Sequence, residues 1–193
     1  MMNFVKRLCD SLRPRRRATL SFRVAEVADV DPIVEAILAE AAEAHFNADY
    51  SLPMAAKGLH HQVSCLVAGL PVPWPGKRGG ASGRAWLIQV NGNDVGFVLL
   101  LEDLPGSLSE RVEVFALVVA RNARGRGIAT EAVRQLIEGV ESRQIYARCY
   151  PASTSMRHVF ERAASLLRRR VALASSPWNL TARWAKRSGE RVE

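Results

Sequence analysis

Hydrophobic and polar positions alternate with strand and helix periods from residue 19 onward. Leu20, Phe22 and Val24 alternate with Ser21 and Arg23, the pattern of a half-buried strand. Asp31-Pro32 then predicts a helix start, with Asp31 as N-cap, Pro32 in the first turn, and Ile33, Val34, Ile37, Leu38 and Ala41 as its apolar stripe. A weaker helix is predicted over 54–67. Residues 69–83 hold Pro71, Pro73, Pro75 and several glycines, a composition that reads as a long loop, either mobile or a substrate-side lid.

Residues 85–90 and 95–101 read as strands joined at Asn91-Gly92-Asn93-Asp94, a hairpin signature. After a loop at Pro105-Gly106, residues 111–120 form the most β-prone stretch. Ala129, Ala132, Val133, Leu136, Ile137 and Val140 then fall on one helical face, with Glu131, Arg134, Gln135, Glu138 and Glu141 opposite. A strand over 145–150, a helix over 153–167 with Met156, Val159, Phe160 and Ala163 inward, and closing strands at 170–174 and 179–185 complete the order β-α-α-β-β-β-α-β-α-β-β. The succession predicts an α/β domain built on one mixed sheet flanked by helices.

The 193 residues, 48% hydrophobic and 24% charged, fit one compact core and exclude a disordered chain. Residues 1–17 read as a basic arm, flexible or helical, residues 18–186 as the single domain, and residues 187–193 as a tail. No apolar run approaches the ~20 residues a membrane span needs. Cys9, Cys65 and Cys149 lack metal-site spacing and read as free thiols in a reducing cytoplasm. His60-His61 has no third ligand at a recognisable spacing, so no metal is expected.

The net charge of +8 draws polyanions: nucleic acid, anionic membrane, phosphorylated cofactors or acidic partners. Its clusters at Arg13, Arg15, Arg16 and Arg17 and at Arg168, Arg169 and Arg170 are not interleaved with stacking aromatics, which disfavours a nucleic-acid footprint.

The chemistry concentrates where the strong strand meets the clean helix, in Arg124, Gly125, Arg126, Gly127, Ile128, Ala129 and Thr130. Two glycines permit a tight turn and close ligand approach. The first helical amides and the positive end of the helix dipole make an anion site, to which Arg124 and Arg126 add charge. The spacing fits neither a Walker loop, which needs Gly-Lys-Ser/Thr, nor the dinucleotide fingerprint, whose third glycine is replaced by Thr130.

Arg124-x-x-Gly127-x-Ala129 resembles the acetyl-CoA signature Arg/Gln-x-x-Gly-x-Gly/Ala of the GNAT superfamily of N-acetyltransferases, and the element order is similar over nearly the whole chain. The resemblance implies a GNAT-like fold and transfer of an acetyl group from acetyl-CoA to a primary amine by direct attack in a ternary complex, by a monomer or homodimer. It implies that the amides of the Arg124, Gly125, Arg126, Gly127, Ile128, Ala129 and Thr130 turn bind the pyrophosphate. Pantetheine then lies along Leu117, Val118 and Val119, with the Leu117 amide near the thioester carbonyl. Glu113 stands where several relatives carry a glutamate general base; the other reading is an exposed strand carboxylate, and Glu113, Phe115 and Leu117 are expected on one strand face.

The chain departs from the pattern at the usual tyrosine acid, where it has Phe160, at the following Gly-Phe pair, where it has Ala164-Ser165, and at the usual asparagine, where it has Ser153. Water, Tyr150, Ser155 or His158 then remain as proton donors to the departing thiolate, with Tyr150 taken as the catalytic candidate. The alternative is a basic binding or CoA-sensing module on the same scaffold with little or no catalysis.

Overall fold

In the computed structural model, the described residues are 19–74, 80–103, 111–139, 144–166, 170–176 and 179–185. The expected arm at 1–17, the tail at 187–193, the Pro105-Gly106 loop and the two arginine clusters, save the backbone of Arg170, lie outside them.

Among the described residues, seven strands form one sheet: β1 (Leu20–Val24), β2 (Ala81–Val90), β3 (Asn93–Asp103), β4 (Arg111–Val119), β5 (Gln144–Cys149), β6 (Arg170–Ser176) and β7 (Asn179–Ala185), in the order β1-β2-β3-β4-β5-β7-β6. Every pairing is antiparallel except β4 with β5. Parallel neighbours need a crossover, and helix α3 (Ile128–Gly139) lies between them in the chain. The other helices are α1 (Val30–Ala42), α2 (Pro53–Val67) and α4 (Thr154–Leu166).

The sheet is covered on both faces. Val30, Ile33, Val34 and Ile37 of α1 and Leu59 and Val63 of α2 pack on Ala85, Leu87, Phe97, Leu99, Ala116 and Val118. On the other face Ala132, Val133 and Ile137 of α3 and Phe160, Ala163 and Ala164 of α4 pack on Val98, Val112, Val114, Leu117, Val119, Ile145 and Ala147. Ile33, Val34 and Ile37 of α1, Ala132, Val133 and Ile137 of α3, and Phe160 and Ala163 of α4 are residues that the helical period picks out.

Three local expectations change. Helix α1 starts at Val30, after a 3-10 turn at Val27–Asp29, so Asp29 holds the N-cap position and Asp31 lies in the first turn. Asp29 is instead engaged by Arg23 at 2.7 and 2.9 Å, contacts across which its carboxylate pKa is lowered. The proline-rich stretch is not all loop. Val72 bridges Ala81, β2 already includes Gly83, and Val72 and Trp74 are buried with Leu66, Ala81 and Leu101. The hairpin turn is tighter than four residues, since β2 and β3 close on Asn91 and Gly92 alone, with φ of 52° and 80°. Both central residues with φ > 0 are the mark of a type I′ turn, which asparagine and glycine tolerate.

The strongest departure is in β4. Leu99 pairs with Ala116 and Leu100 with Val114, so Phe115 is an extra residue with no partner in the ladder. A β-bulge of this kind shifts the side-chain alternation by one position. Val112 and Val114 before it and Leu117 and Val119 after it therefore face α3 and α4, whereas Ala116 and Val118 face α1 and α2. Glu113 and Leu117 consequently do not share a face as a regular strand requires.

Candidate active site

The parallel ladder between β4 and β5 stops at Val114 and Ala147. Past this point the two strands part. A cleft of about 500 Å³ opens between them, lined by Val114, Phe115, Ala116, Leu117, Val118 and Val119 on one side and Ala147, Arg148 and Cys149 on the other. The edge of β4 facing β5 has no strand partner over this length, so its backbone groups are offered to whatever fills the cleft.

One end of the cleft is the turn entering α3. Gly125 and Gly127 have φ of 75° and 77°, in the left-handed region where a β-carbon is strained. An added Cβ at either would meet no atom within 4 Å, so conformation and open space, not crowding, explain glycine here. The earliest helical bond runs from the Glu131 amide to the Gly127 carbonyl at 3.0 Å. The Ile128, Ala129 and Thr130 amides precede it, with no acceptor one turn back, and with the dipole they form an anion cradle. All residues from Arg124 to Thr130 line the cleft apart from Arg126.

The arginine side chains are used otherwise than their sequence position suggests. Arg124 donates through Nε to the Val119 carbonyl at 2.8 Å and through its terminal nitrogen to Glu40. Arg126 donates to the Asn122 carbonyl at 3.1 Å. The cradle is thus built mainly from backbone.

A further part of the wall comes from the end of α1, joined to the cradle turn through Arg124 and Glu40, a region sequence reasoning did not single out. Glu40, His45 and Phe46 line the cleft. Glu40 is only 8% exposed, and its carboxylate accepts from Arg124 on one oxygen and meets His45 Nδ1 at 2.9 Å on the other. Burial pushes the Glu40 pKa upward, but the hydrogen bonds from His45 and Arg124 outweigh it and hold the carboxyl below its usual range. Glu43 is paired with Arg121. Glu40, Glu43 and His45 cluster within 4.8 Å, but guanidinium groups already balance both carboxylates. The Ser153 hydroxyl donates to the His45 carbonyl at 3.1 Å, joining this part of the wall to the start of α4.

Neither of the two residues expected to be catalytic is among those that line the cleft. Glu113 is 1% exposed, accepts from Tyr146 Oη at 2.9 Å and from Arg148 Nε at 2.6 Å, and is therefore not an exposed strand carboxylate. Burial opposes the Arg148 charge, yet Glu113 raises its pKa above the ordinary guanidinium value. Tyr150 is half-buried, its pKa raised first by burial and lowered in part by Arg148, with Asp49 a further charged neighbour. Tyr50, close enough to feel Tyr150, is pushed up to about 12, chiefly by burial.

Phe160, fully buried, lines the cleft and offers no ionisable hydroxyl there. Cys149 also lines it, but burial pushes its thiol up to about 11, so the thiolate needed for covalent attack is scarce near neutrality. Ser155 is on the wall, while His158 is exposed, does not line the cleft and lies beside Glu161 at 3.3 Å.

An open-edged strand, a helix-start anion cradle and a cleft between parting parallel strands define an acyl-CoA-binding type of transferase fold. Residues 59–166, more than half of the chain, match the acetyltransferase (GNAT) family, and the chain belongs to that family. It is an acetyltransferase, and acetyl-CoA is the donor that goes with that class.

Solved structures agree on the fold. The aminoglycoside acetyltransferase AAC(6')-Ib in complex with ribostamycin and coenzyme A shares 14% identity at a TM-score of 0.62, over 91% of this chain and 99% of that one. An acetyltransferase from Thermus thermophilus shares 15% at 0.57, over 86% and 96%. Spermidine N-acetyltransferase from Vibrio cholerae, in complex with CoA and spermine, shares 13% at 0.51, over 86% and 93%. A comparison with curated protein sequences gives no match. Among the described residues, no helix is long and apolar enough to cross a membrane.

Proposed function

We propose that the chain transfers the acetyl group of acetyl-CoA to a primary amine by direct attack within a ternary complex. The observation that carries this reading is the continuity of the anion cradle at Gly125 and Gly127 with the unpaired edge of β4 in one cleft. Amides from Arg124 to Thr130 receive the pyrophosphate, where several charge-assisted hydrogen bonds converge without a dedicated cation. Leu117, Val118 and Val119 extend the pantetheine as an added strand, and an amide there opposes the thioester oxygen and stabilises the charge that develops on it.

Cys149 takes no covalent part, in keeping with its raised pKa. With Phe160 in place of an acid, the thiolate takes its proton through water; Ser155 lines the cleft and Tyr150 does not. The acceptor is an amine of the kind named for the structural neighbours, an aminoglycoside or a polyamine, or a peptide amine. Cys65 and Cys149 as free thiols fit action in the cytoplasm. The test is thiol release from acetyl-CoA against kanamycin, spermidine, amino acids and a peptide N-terminus. CoA binding with no thiol release from any amine would overturn catalysis and leave a CoA-sensing module.

A further inference from the structure

Acyl transfer to an amine needs the nitrogen lone pair, whereas alkyl amines are mostly protonated near neutrality. Glu113 is buried, doubly engaged and not among the residues that line the cleft, whereas His45 lines it. Resting on the acetyl-transfer reading above, we propose that His45 is the general base that deprotonates the acceptor amine, with Glu40 as the positioning residue that holds its ring.

His45 is fixed by three independent ties. Helix α1 ends in a Schellman arrangement, with the Ala44 amide on the Ala41 carbonyl and the His45 amide on the Glu40 carbonyl, both at 3.0 Å. This end places Ala44 at φ of 60°, a left-handed conformation that glycine usually supplies and that costs an alanine strain. The reward of that strained turn is that His45 comes back beside Glu40, five residues earlier. Nδ1 meets the Glu40 carboxylate at 2.9 Å, and the Ser153 hydroxyl holds the His45 carbonyl.

Nε2 has no protein partner among the described residues, and the side chain is 35% exposed on the cleft lip. A carboxylate on one ring nitrogen fixes the tautomer that leaves the other as acceptor. The charged groups nearby are Glu40 at the end of α1 and Glu43 just after it, paired respectively with Arg124 and Arg121 from the segment before α3. Imidazole Nε2 is the ring nitrogen that can accept a proton and hand it on.

The ammonium gives one proton to Nε2, which passes it to solvent. The freed lone pair forms the C–N bond at the thioester carbonyl carbon. The C–S bond then breaks with its electron pair on sulfur, and the second nitrogen proton ends on the CoA thiolate by way of water. Products are the amide, free CoA thiol and one proton.

The experiment measures kcat/KM from pH 6 to 10 by thiol release, for the full chain and for His45→Gln, with kanamycin, spermidine and a peptide N-terminus as acceptors and CoA titrated calorimetrically. His45→Gln is expected to lower kcat/KM about 10²–10³-fold at pH 7, to bind CoA as the parent does, and to recover as the pH approaches 10 and the amine loses its proton unaided. Glu40→Gln is expected to lower the rate less. An unchanged pH profile, or a deficit constant across pH, overturns the assignment while leaving acetyl transfer intact. A parent chain that releases no thiol with any acceptor overturns both. Should His45→Gln fail to bind CoA, His45→Ala, which retains the backbone ties, is measured the same way.

Discussion

Replacing Glu113 by glutamine separates a structural carboxylate from a base. The carboxylate is 1% exposed and receives Tyr146 Oη at 2.9 Å and Arg148 Nε at 2.6 Å. Glutamine keeps the shape and one acceptor oxygen but turns an N–H₂ toward the other donor. A charge-assisted hydrogen bond is worth ~1.5–3 kcal/mol. Breaking a buried pair costs ~3–5 kcal/mol when the survivor is left dry, but Arg148 is 35% exposed and water recovers part of that. The net expectation is a loss of about 2–3 kcal/mol, which for a chain of this size lowers Tm by about 5–10 °C. Thermal unfolding followed by circular dichroism reads it, with thiol release at several pH values on the same sample. A variant with an unchanged Tm and a lost acidic limb in its rate profile would show that Glu113 works as the base and that this accounting is wrong.

Gly127→Ala is expected to weaken CoA about 10–100-fold in calorimetry, the loss of one charged hydrogen bond, at a stability cost of about 1–2 kcal/mol from the left-handed turn; unaltered affinity would remove the cradle from the site. Gly96→Ala sets a Cβ 2.2 Å from the Val118 carbonyl oxygen, so β4 must shift; about 2–3 kcal/mol should be lost in urea unfolding, and an unmoved midpoint contradicts the β3–β4 register. The thiol of Cys149, raised from 9.0 to about 11, and the phenol of Tyr50, raised from 10.0 to about 12, stay protonated in the fold at pH values where the unfolded chain ionises. The unfolded state then binds fewer protons, so stability should fall as pH rises from about 9 to about 12; stability that is flat or rising over that window would mean the two groups are not buried as described.

Elements set by local chemistry were legible in the chain. Asn91-Gly92 between alternating runs announced the hairpin, and the spacing of Ala132, Val133 and Ile137 gave α3 with its inner face. The cradle was legible because it is backbone at a glycine turn. What could not be read depends on partners far along the chain. Past Glu113, β4 is apolar at every position to Val119, with buried residues on both faces, so no polar residue marks where alternation slips at Phe115. Arg124 looks like a phosphate ligand until Glu40, 84 residues earlier, engages it. Val72 and Trp74 sit in a proline-rich segment yet close a small core under Phe115, whose ring meets that of Trp74 edge-on at 4.7 Å. The signal for His45 was present but weak: a histidine just after an amphipathic helix, five residues from a glutamate on its inner side.

The extra residue at Phe115 gives the binding site an unusual economy. A strand in perfect register with both neighbours has no backbone left to offer, and its two faces keep their assignments along the whole length. By slipping one position, β4 completes both hydrophobic layers, leaves its neighbour and turns an interior strand into an edge in the middle of the protein. Deleting Phe115 alone would be expected to let β4 and β5 zip closed while Leu117 and Val119 keep their layer, now in regular alternation with Val112 and Val114. The site for the acyl donor is therefore a fault in the weave of the sheet, held open by the same packing that makes the sheet stable.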